Sequence, residues 1–249
     1  MSFSRNRLYV IFPAAGSGSR MHSDKNKLLM EVNGVTVIDR TISAFKRYSE
    51  EYDIDLSCIL VVSQGKTRDW KNYVSDKDYS SIIKSIVEGG DTRTKSVGNG
   101  VAALKDFSPE DDSAVFIHDA ARCLIDTGSI ARCFDAVNED GTLVCVSGVK
   151  TKNTIKMVKA DTSGSVTVES TPDRDLLYEV QTPQCFRYSV LEECYRRASV
   201  DGYEATDDTA LAEHYGFDVR IVDGSYANIK ITTPEDIVIA EAMCRIASS

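Results

Sequence analysis

A loop of small residues followed by two cations is the first place in the chain where chemistry is expected. The apolar run at residues 9–12 leads into this loop, and Arg20 and Lys27 follow it. Without a Cβ at Gly16 or Gly18, backbone amides of the loop can come close to a phosphate. The two cations supply positive charge that amides lack. A strand-to-helix turn with two solvated cations is the alternative, but the combination favours a phosphate-binding loop.

Two further strand ends carry polar residues. The apolar run at 114–117 leads through His118 to Asp119, at the sheet edge where open α/β folds bind ligands. Because Asp126 already offers a cap for the next helix, we interpret Asp119 as a magnesium ligand. His118 is interpreted as a packed or hydrogen-bonded histidine, not as a catalyst. The loop at 89–96, with two glycines, an acid, two cations and three hydroxyls, is a second candidate ligand loop.

Lys230, after a late strand, completes a set of three cations and one acid with Arg20, Lys27 and Asp119. Such a set suits a nucleoside triphosphate held with magnesium, because phosphoryl or nucleotidyl transfer needs positioning and charge neutralisation more than a covalent nucleophile. No G-x-S-x-G motif occurs, and the chain has only three histidines, which argues against a Ser/His/Asp set. A Walker loop is absent too, and Met21 breaks the G-x-G-x-x-G pattern of dinucleotide-binding folds.

The composition constrains the partners and the compartment. A formal net charge of -9 argues against a broad nucleic-acid surface, so cations for a polyphosphate must be concentrated locally. Seven cysteines without a C-x-x-C pair are expected to be buried thiols in a reducing compartment. No apolar run approaches a membrane span, and the few polar residues before the first strand leave no room for a targeting peptide. We therefore expect a cytoplasmic protein that binds neither nucleic acid nor membranes.

Strand and helix patterns alternate along the chain. Strands are predicted at 9–12, 56–63, 82–87, 114–117, 142–149, 177–186 and 219–222, and helices at 37–45, 66–73 and 96–104. This rhythm predicts an α/β fold, a Rossmann-like three-layer sandwich with a mainly parallel mixed sheet. Ser189 and Glu192 form a capping box that predicts a helix start at Ser189. Without repeats or linkers, residues 1–249 are expected to form a single domain.

A β-hairpin interrupts this rhythm. Residues 154–158 and 165–169 are short β-type runs separated by a four-residue loop at 161–164. A two-stranded hairpin is marginally stable at best in water, so it must pack on the parent domain or on a second subunit. We therefore interpret residues 150–174 as a projecting arm.

Several motifs together resemble one enzyme family. The segment at 13–21 with Lys27 resembles the signature of sugar-nucleotide and polyol-phosphate nucleotidyltransferases. Four further motifs, in the same order, resemble the 2-C-methyl-D-erythritol 4-phosphate cytidylyltransferases: HDAAR at 118–122, QTPQ at 181–184, ATDD at 205–208 and NIKIT at 228–232. The resemblance extends from about residue 9 to about residue 242. It implies transfer of CMP from CTP to methylerythritol phosphate, with Mg²⁺ and release of pyrophosphate, for isoprenoid precursor synthesis.

The resemblance also implies roles for individual residues. The nucleotide would contact Pro13, Ala14, Ala15, Gly16, Ser17, Gly18, Gly90, Asp91, Ser96 and Ala120. The catalytic groups would be Arg20, Lys27, Lys230 and Asp119, and Asp119 would also hold Mg²⁺. The alcohol phosphate would contact Arg122, Thr154, Arg174 and Thr182. In the family the arm crosses a dimer two-fold and an Arg at the Arg174 position reaches into the partner's site, which implies a homodimer.

The chain departs from the family pattern at a few positions, and two alternatives stay open. Asn26 and Leu28 flank Lys27 where the family usually has Pro and Gln, and Cys123 stands where Pro is usual. The nearest alternative is ribitol 5-phosphate cytidylyltransferase, which shares most of these motifs, although residues 13–16 favour methylerythritol phosphate. A non-catalytic nucleotide-binding protein of the same fold is the alternative from another class, and the intact set of cations and acid argues against it.

Overall fold

Eleven strands form three sheets in the part of the chain that the structure describes, a computed structural model covering residues 6–16, 26–139, 141–160 and 164–247. The strands are β1 (Arg7–Ala14), β2 (Glu31–Val32), β3 (Val35–Thr36), β4 (Asp55–Val62), β5 (Ile83–Glu88), β6 (Ala114–Ile117), β7 (Val144–Lys150), β8 (Met157–Ala160), β9 (Val166–Ser170), β10 (Tyr178–Arg187) and β11 (Val219–Asp223).

Seven of these strands form the central sheet, in the order β11-β7-β10-β6-β1-β4-β5. β1 pairs in parallel with β4 and β6, β4 with β5, and β7 with β11, whereas β10 is antiparallel to both of its neighbours. The predicted mainly parallel mixed sheet is confirmed. Because β1, β4, β5 and β6 point the same way, the loops that follow them meet at one edge of the sheet.

Seven helices accompany the sheet in the described ranges: α1 (Val37–Tyr52), α2 (Thr67–Ser75), α3 (Arg93–Leu104), α4 (Thr127–Asn138), α5 (Tyr188–Asp201), α6 (Asp208–His214) and α7 (Pro234–Ala247). Asp126 caps α4 as expected, accepting a hydrogen bond of 2.7 Å from the Ser129 amide. Asp119 is therefore not the N-cap of this helix. Among these described helices, none has both the length and the apolar character needed to cross a membrane.

Side chains of β1 alternate between two hydrophobic clusters, one on each face of the sheet. Leu8, Val10 and Phe12 pack in the cluster that includes α1 and α4, whereas Tyr9 and Ile11 pack in the cluster that includes α3 and α5. Helices thus cover both faces, which gives the expected three layers. None of the seven cysteines forms a disulfide, and six of them are buried, as predicted.

Two helix starts differ from the sequence-based expectation. α3 begins at Arg93, three residues before the predicted start, because the Thr92 side chain caps it by accepting from the Lys95 amide. The capping box at Ser189 is wrong: α5 begins at Tyr188 without a side-chain cap. The Tyr188 and Ser189 amides instead donate to the carbonyls of Ser113 and Asp111, at 2.9 and 3.0 Å. A neighbouring loop therefore satisfies the first amides of the helix.

The hairpin forms a separate two-stranded sheet, β8 with β9, in antiparallel register. Its strands begin one to three residues later than predicted, and residues 161–163 of the connecting loop lie outside the described ranges. Every residue of β8 and β9 is exposed, including Met157, Val158, Val166 and Val168. The hairpin does not pack against the central sheet.

Candidate active site

A cavity of about 440 Å³ opens at the carboxyl edge of the sheet. The loops that follow β1, β5 and β6 form three of its walls, and the segment between β11 and α7 forms the fourth. The lining residues are Pro13, Ala14, Ala15, Gly16, Lys27, Leu28, Asp91, Arg93, Ser96, Asp119, Ala120, Ala121, Lys230 and Thr232. Ten of these were predicted from the sequence; Leu28, Arg93, Ala121 and Thr232 were not.

Asp119 is the carboxylate around which the charges of the cavity are arranged. Its Oδ2 lies 2.8 Å from Lys230 Nζ and 3.7 Å from Arg122 Nε, and its Oδ1 lies 4.0 Å from Arg93 Nη2. Burial by itself would raise the pKa of Asp119, but the Lys230 ammonium and the Arg93 guanidinium outweigh burial and lower this pKa to about 2. The carboxylate is thus ionised throughout the neutral range.

Lys27 and Lys230 reach the cavity from opposite ends of the sequence and meet at one backbone segment. Lys27 Nζ donates to the Ile231 carbonyl at 3.2 Å. The Ile231 amide donates to the Ala121 carbonyl at 2.9 Å, which ties this segment to the loop that carries Asp119. Ile231 itself is fully buried. The backbone at 230–231 therefore carries Lys230, which pairs with Asp119, and accepts a hydrogen bond from the Lys27 ammonium.

The Gly90 loop is closed by one serine and approaches the Ala15 loop closely. The Gly90 amide donates to Ser96 Oγ at 3.1 Å, and Ser96 Oγ donates to the Gly90 carbonyl at 3.2 Å. A Cβ on Gly89 would lie 2.7 Å from both Ala15 Cβ and Ser96 Oγ. Glycine at 89 therefore allows the two loops to pack together as one wall of the cavity.

Arg93 is the charged cavity residue that lies in the predicted ligand loop at 89–96 but was given no individual role. Its two terminal nitrogens donate to the Asp208 carboxylate at 2.8 and 2.6 Å. Tyr195 also donates to this carboxylate, at 2.5 Å, and the Gln184 side-chain oxygen accepts from the Asp208 amide at 2.7 Å. The network joins α3, α5, α6 and β10 behind the cavity wall. The Thr92 cap of α3 was the local signal that could have placed Arg93 at the cavity.

His118 is packed and hydrogen-bonded, as its context predicted. Its ring contacts the edges of Phe12 and Phe45, and burial lowers its pKa to about 3. Nε2 faces the Arg122 carbonyl at 3.3 Å, so Nε2 carries the proton of this neutral ring. Nδ1 then accepts from the Thr182 hydroxyl at 3.0 Å. The ring orients its neighbours and stays neutral at neutral pH.

The residues predicted for the alcohol phosphate do not line the described part of this cavity. The Thr182 hydroxyl bonds to His118 and accepts from the Asp119 amide at 3.1 Å. Arg122 donates to the Asn228 carbonyl at 2.7 Å, and its buried Nε has no hydrogen-bond partner in the described structure. Thr154 and Arg174 are exposed at the base of the hairpin, where Arg174 donates to the Lys152 carbonyl at 3.3 Å.

Three predicted nucleotide or catalytic residues, Ser17, Gly18 and Arg20, lie outside the described residues. Among the described departures from the family pattern, Asn26 accepts from the Leu28 amide at 3.0 Å and caps the 3₁₀ turn of Lys27–Leu29. Leu28 and Cys123 are buried in the core. These side chains stabilise the loop around Lys27 and the segment after Asp119.

A second, more open groove of about 810 Å³ lies between α3 and α5 and shares Asp91 with the first cavity. Its cations face neighbouring acids: Lys105 lies 2.9 Å from Glu192, and Lys95 lies 3.0 Å from Asp91. Positive charge is therefore concentrated at the Asp119 cavity and not in this groove.

The glycine loop and the cations around Asp119 define the chain as a nucleotidyltransferase, a class of enzyme that binds a triphosphate by positioning and charge neutralisation. Within that class, it belongs to the 2-C-methyl-D-erythritol 4-phosphate cytidylyltransferase family, IspD, whose model matches residues 8–246.

Individual proteins of that name are similar over almost the whole chain. The Trichormus variabilis enzyme is 39% identical over 236 residues, covering 94% of this chain and 96% of the relative, and the Alkaliphilus oremlandii enzyme is 38% identical, covering 95% and 94%. The crystal structure of 4-diphosphocytidyl-2C-methyl-D-erythritol synthase from Anaerococcus prevotii superposes with a TM-score of 0.76 at 28% identity, covering 97% of this chain and 99% of that one.

Proposed function

We propose that this enzyme carries out the reaction of its family at the Asp119 cavity, transferring CMP from CTP to 2-C-methyl-D-erythritol 4-phosphate. An oxygen of the substrate phosphate attacks the α-phosphorus, a new P–O–P linkage forms, and pyrophosphate leaves with the bonding electrons. The observation that supports this proposal is that Lys27 and Lys230 both line the Asp119 cavity, where Lys230 pairs with the ionised carboxylate and Lys27 donates to the neighbouring Ile231 carbonyl. No general base is required, because the attacking phosphate is already an anion; the neutral His118 is consistent with this.

The described cations neutralise the triphosphate. Lys27 and Lys230 line the cavity, and Arg20 belongs to the same loop in sequence. Positive groups fixed where negative charge develops stabilise the transition state without reorganisation. Ala14, Ala15 and Gly16 present a wall without bulky side chains, which lets a phosphate or ribose come close to the backbone.

Asp119 would hold Mg²⁺. A carboxylate facing a cavity that receives phosphates is a donor that Mg²⁺ accepts, since this ion commonly binds one or two carboxylates together with substrate phosphates and water. The metal would supply charge neutralisation and orientation of the triphosphate. Arg122, next to Asp119, has a buried Nε–H that lies 3.7 Å from the Asp119 carboxylate and is not hydrogen-bonded in the described structure.

The functional unit is proposed to be a cytoplasmic homodimer of single-domain subunits, with residues 150–174 as the arm. The exposed apolar residues Met157, Val158, Val166 and Val168 support a second copy as the surface that covers the hairpin. Arg174, at the base of the hairpin, would contact the alcohol phosphate bound in the partner's cavity, and Thr154 would be a further contact of the alcohol phosphate. Arg122 and Thr182 would contribute from the cavity's own subunit.

Pyrophosphate release tests this function. The protein is incubated with CTP, Mg²⁺ and either 2-C-methyl-D-erythritol 4-phosphate or ribitol 5-phosphate, and the first acceptor should give the higher kcat/KM. Lys27→Met should reduce turnover by roughly 10²- to 10³-fold, the cost of removing one charge-stabilising group. Lys66→Met, which removes an exposed lysine paired with Asp69, is the matched control. Preference for ribitol 5-phosphate, or unchanged turnover of Lys27→Met, would contradict the proposal.

A further inference from the structure

Lys230 directly contacts the carboxylate of Asp119 that would hold a metal ion. Lys230 Nζ lies 2.8 Å from Asp119 Oδ2, the shortest of the three ion pairs at this carboxylate. The other two cations have their main partners elsewhere: Arg122 donates to the Asn228 carbonyl and Arg93 to Asp208. Among the described cations, Lys230 is therefore the one whose main partner is Asp119.

The Lys230 side chain can move although its backbone is fixed. Ile231 is buried and bonded to Ala121, and Thr232 bonds to Asp236, so the segment is held on the C-terminal side of Lys230. The Lys230 side chain is 39% exposed, whereas that of Asp119 is 11% exposed. The ammonium thus approaches the carboxylate from the open cavity, the side from which a nucleotide arrives. A flexible four-carbon stem allows it to turn towards an incoming anion.

We propose that Lys230 occupies Asp119 in place of the metal ion until the triphosphate draws the ammonium away, so that metal and nucleotide bind together and the metal does not bind first. This inference rests on the proposed role of Asp119 as the metal ligand. It adds a second role to Lys230, as the group that sets the order of binding.

Charge pairing accounts for this order. Displacing Lys230 from Asp119 without an incoming anion leaves an ammonium beside a divalent cation, in a cavity that already holds Arg93 and Lys27. When the triphosphate is present, Lys230 pairs with phosphate and Asp119 is released, so every charge keeps a partner. In the described residues, no group of three or more His, Cys, Asp or Glu side chains forms an alternative metal site. Substrate phosphates and water are the further ligands that Mg²⁺ commonly takes beside one or two carboxylates.

Binding of Mn²⁺, followed by electron paramagnetic resonance, tests the proposal without relying on turnover. Mn²⁺ is titrated into the protein with and without a non-hydrolysable CTP analogue. Lys230→Met removes the ammonium and keeps the length of the side chain. Lys27→Met is the matched control, because Lys27 lines the same cavity but donates to the Ile231 carbonyl and not to Asp119. Circular dichroism checks that each variant is folded.

Without the analogue, Lys230→Met should bind Mn²⁺ at least about tenfold more tightly than the unaltered protein, within the roughly 5- to 150-fold range of typical couplings between sites. Lys27→Met should change this affinity much less, and adding Asp119→Asn to Lys230→Met should abolish the gain. By reciprocity, the analogue should then improve Mn²⁺ binding less in Lys230→Met than in the unaltered protein.

Two failures can be distinguished. If Lys230→Met binds Mn²⁺ no more tightly than the unaltered protein, while the analogue still promotes Mn²⁺ binding that requires Asp119, the binding order proposed for Lys230 is wrong and the metal role of Asp119 stands. If the unaltered protein with the analogue binds no Mn²⁺ through Asp119, the metal role itself is wrong. Equal gains in Lys230→Met and Lys27→Met would show a general charge effect and overturn the specific role.

Discussion

Arg93 binds Asp208 through both of its terminal nitrogens, across 115 positions of sequence. The Asp208 side chain is 0% exposed, whereas the Arg93 side chain is 30% exposed and faces the cavity. Burial alone would lower the pKa of Arg93, but Asp208 outweighs burial and raises it. The buried carboxylate therefore fixes a guanidinium in the wall of the candidate active site, 4.0 Å from Asp119.

This relationship predicts a loss of stability in Asp208→Asn. The variant leaves a largely buried guanidinium without its counter-charge, and we expect the free energy of unfolding to fall by about 3 kcal/mol, the low end of the range for a broken buried ion pair, because solvent reaches part of Arg93. Urea unfolding measures this loss in the free energy of unfolding. Asp207→Asn is the control: Asp207 caps α6 by accepting from the Ala210 amide, and Asn caps equally well. Equal losses in the two variants would refute the assignment.

His118 predicts a dependence of stability on pH. The folded-state pKa is lowered to about 3 from an ordinary value of 6.5. Between these values the unfolded chain takes up a proton at this position that the folded chain does not, so stability falls as pH falls, by about 1.4 kcal/mol per pH unit from this group. His118→Asn keeps a polar partner for Thr182. Between pH 6 and pH 4.5, the slope of the unfolding free energy against pH should be smaller in this variant by about 1.4 kcal/mol per pH unit. Parallel curves for the two proteins would show that His118 does not stay neutral.

A substitution at Gly16 is expected to weaken nucleotide binding without destabilising the fold. A Cβ at this position meets no atom of the described residues within 4 Å, so Gly16→Ala should leave the unfolding free energy unchanged or slightly raised, by at most about 1 kcal/mol. If the nucleotide approaches this backbone, the methyl group should weaken CTP binding by about tenfold or more, measured by calorimetry.

The contrasting variant is Gly89→Ala. Its Cβ would lie 2.7 Å from Ala15 Cβ, so we expect destabilisation of about 1–3 kcal/mol as well as weaker CTP binding. Unimpaired CTP binding by Gly16→Ala would place the nucleotide away from this loop.

Hybrid dimers test the proposed contribution of Arg174 to the partner's cavity. Arg174→Ala and Lys27→Met subunits are mixed after each has been shown to be inactive. If Arg174 acts across the interface, each hybrid dimer contains one intact site, and equal mixing should restore about one quarter of the unaltered activity. If Arg174 acts within its own subunit, every site carries one defect, and activity stays at the level of the single variants despite confirmed subunit exchange.

The parts of the fold that local sequence determines were predicted well. The strands β1, β4 and β6 are rich in apolar residues. A parallel sheet brings the carboxyl ends of these strands to one edge, whatever the residues at which the following helices begin. Asp119 could therefore be placed at the cavity from its position directly after such a run and from the neighbouring Asp126 cap.

Residues held by distant contacts were harder to predict. Arg93 reaches the cavity because Thr92 starts α3 early and because Asp208 anchors the guanidinium, and the second cause has no local pattern. The start of α5 was misplaced for a similar reason, since carbonyls of Ser113 and Asp111 replace a side-chain cap. Thr182 stays a predicted substrate contact, and its hydroxyl bonds to His118 and to the Asp119 amide, a network that forms only when β10 lies beside β6.

The most direct test of the proposed nucleotide and metal sites is a crystal structure of the protein with CTP and Mn²⁺, in which the anomalous signal locates the metal. We expect the triphosphate between Lys27 and Lys230, the anomalous peak at the Asp119 carboxylate, and the Lys230 ammonium turned from Asp119 to a phosphate. CTP bound in the groove between α3 and α5, or an anomalous peak away from Asp119, would contradict it.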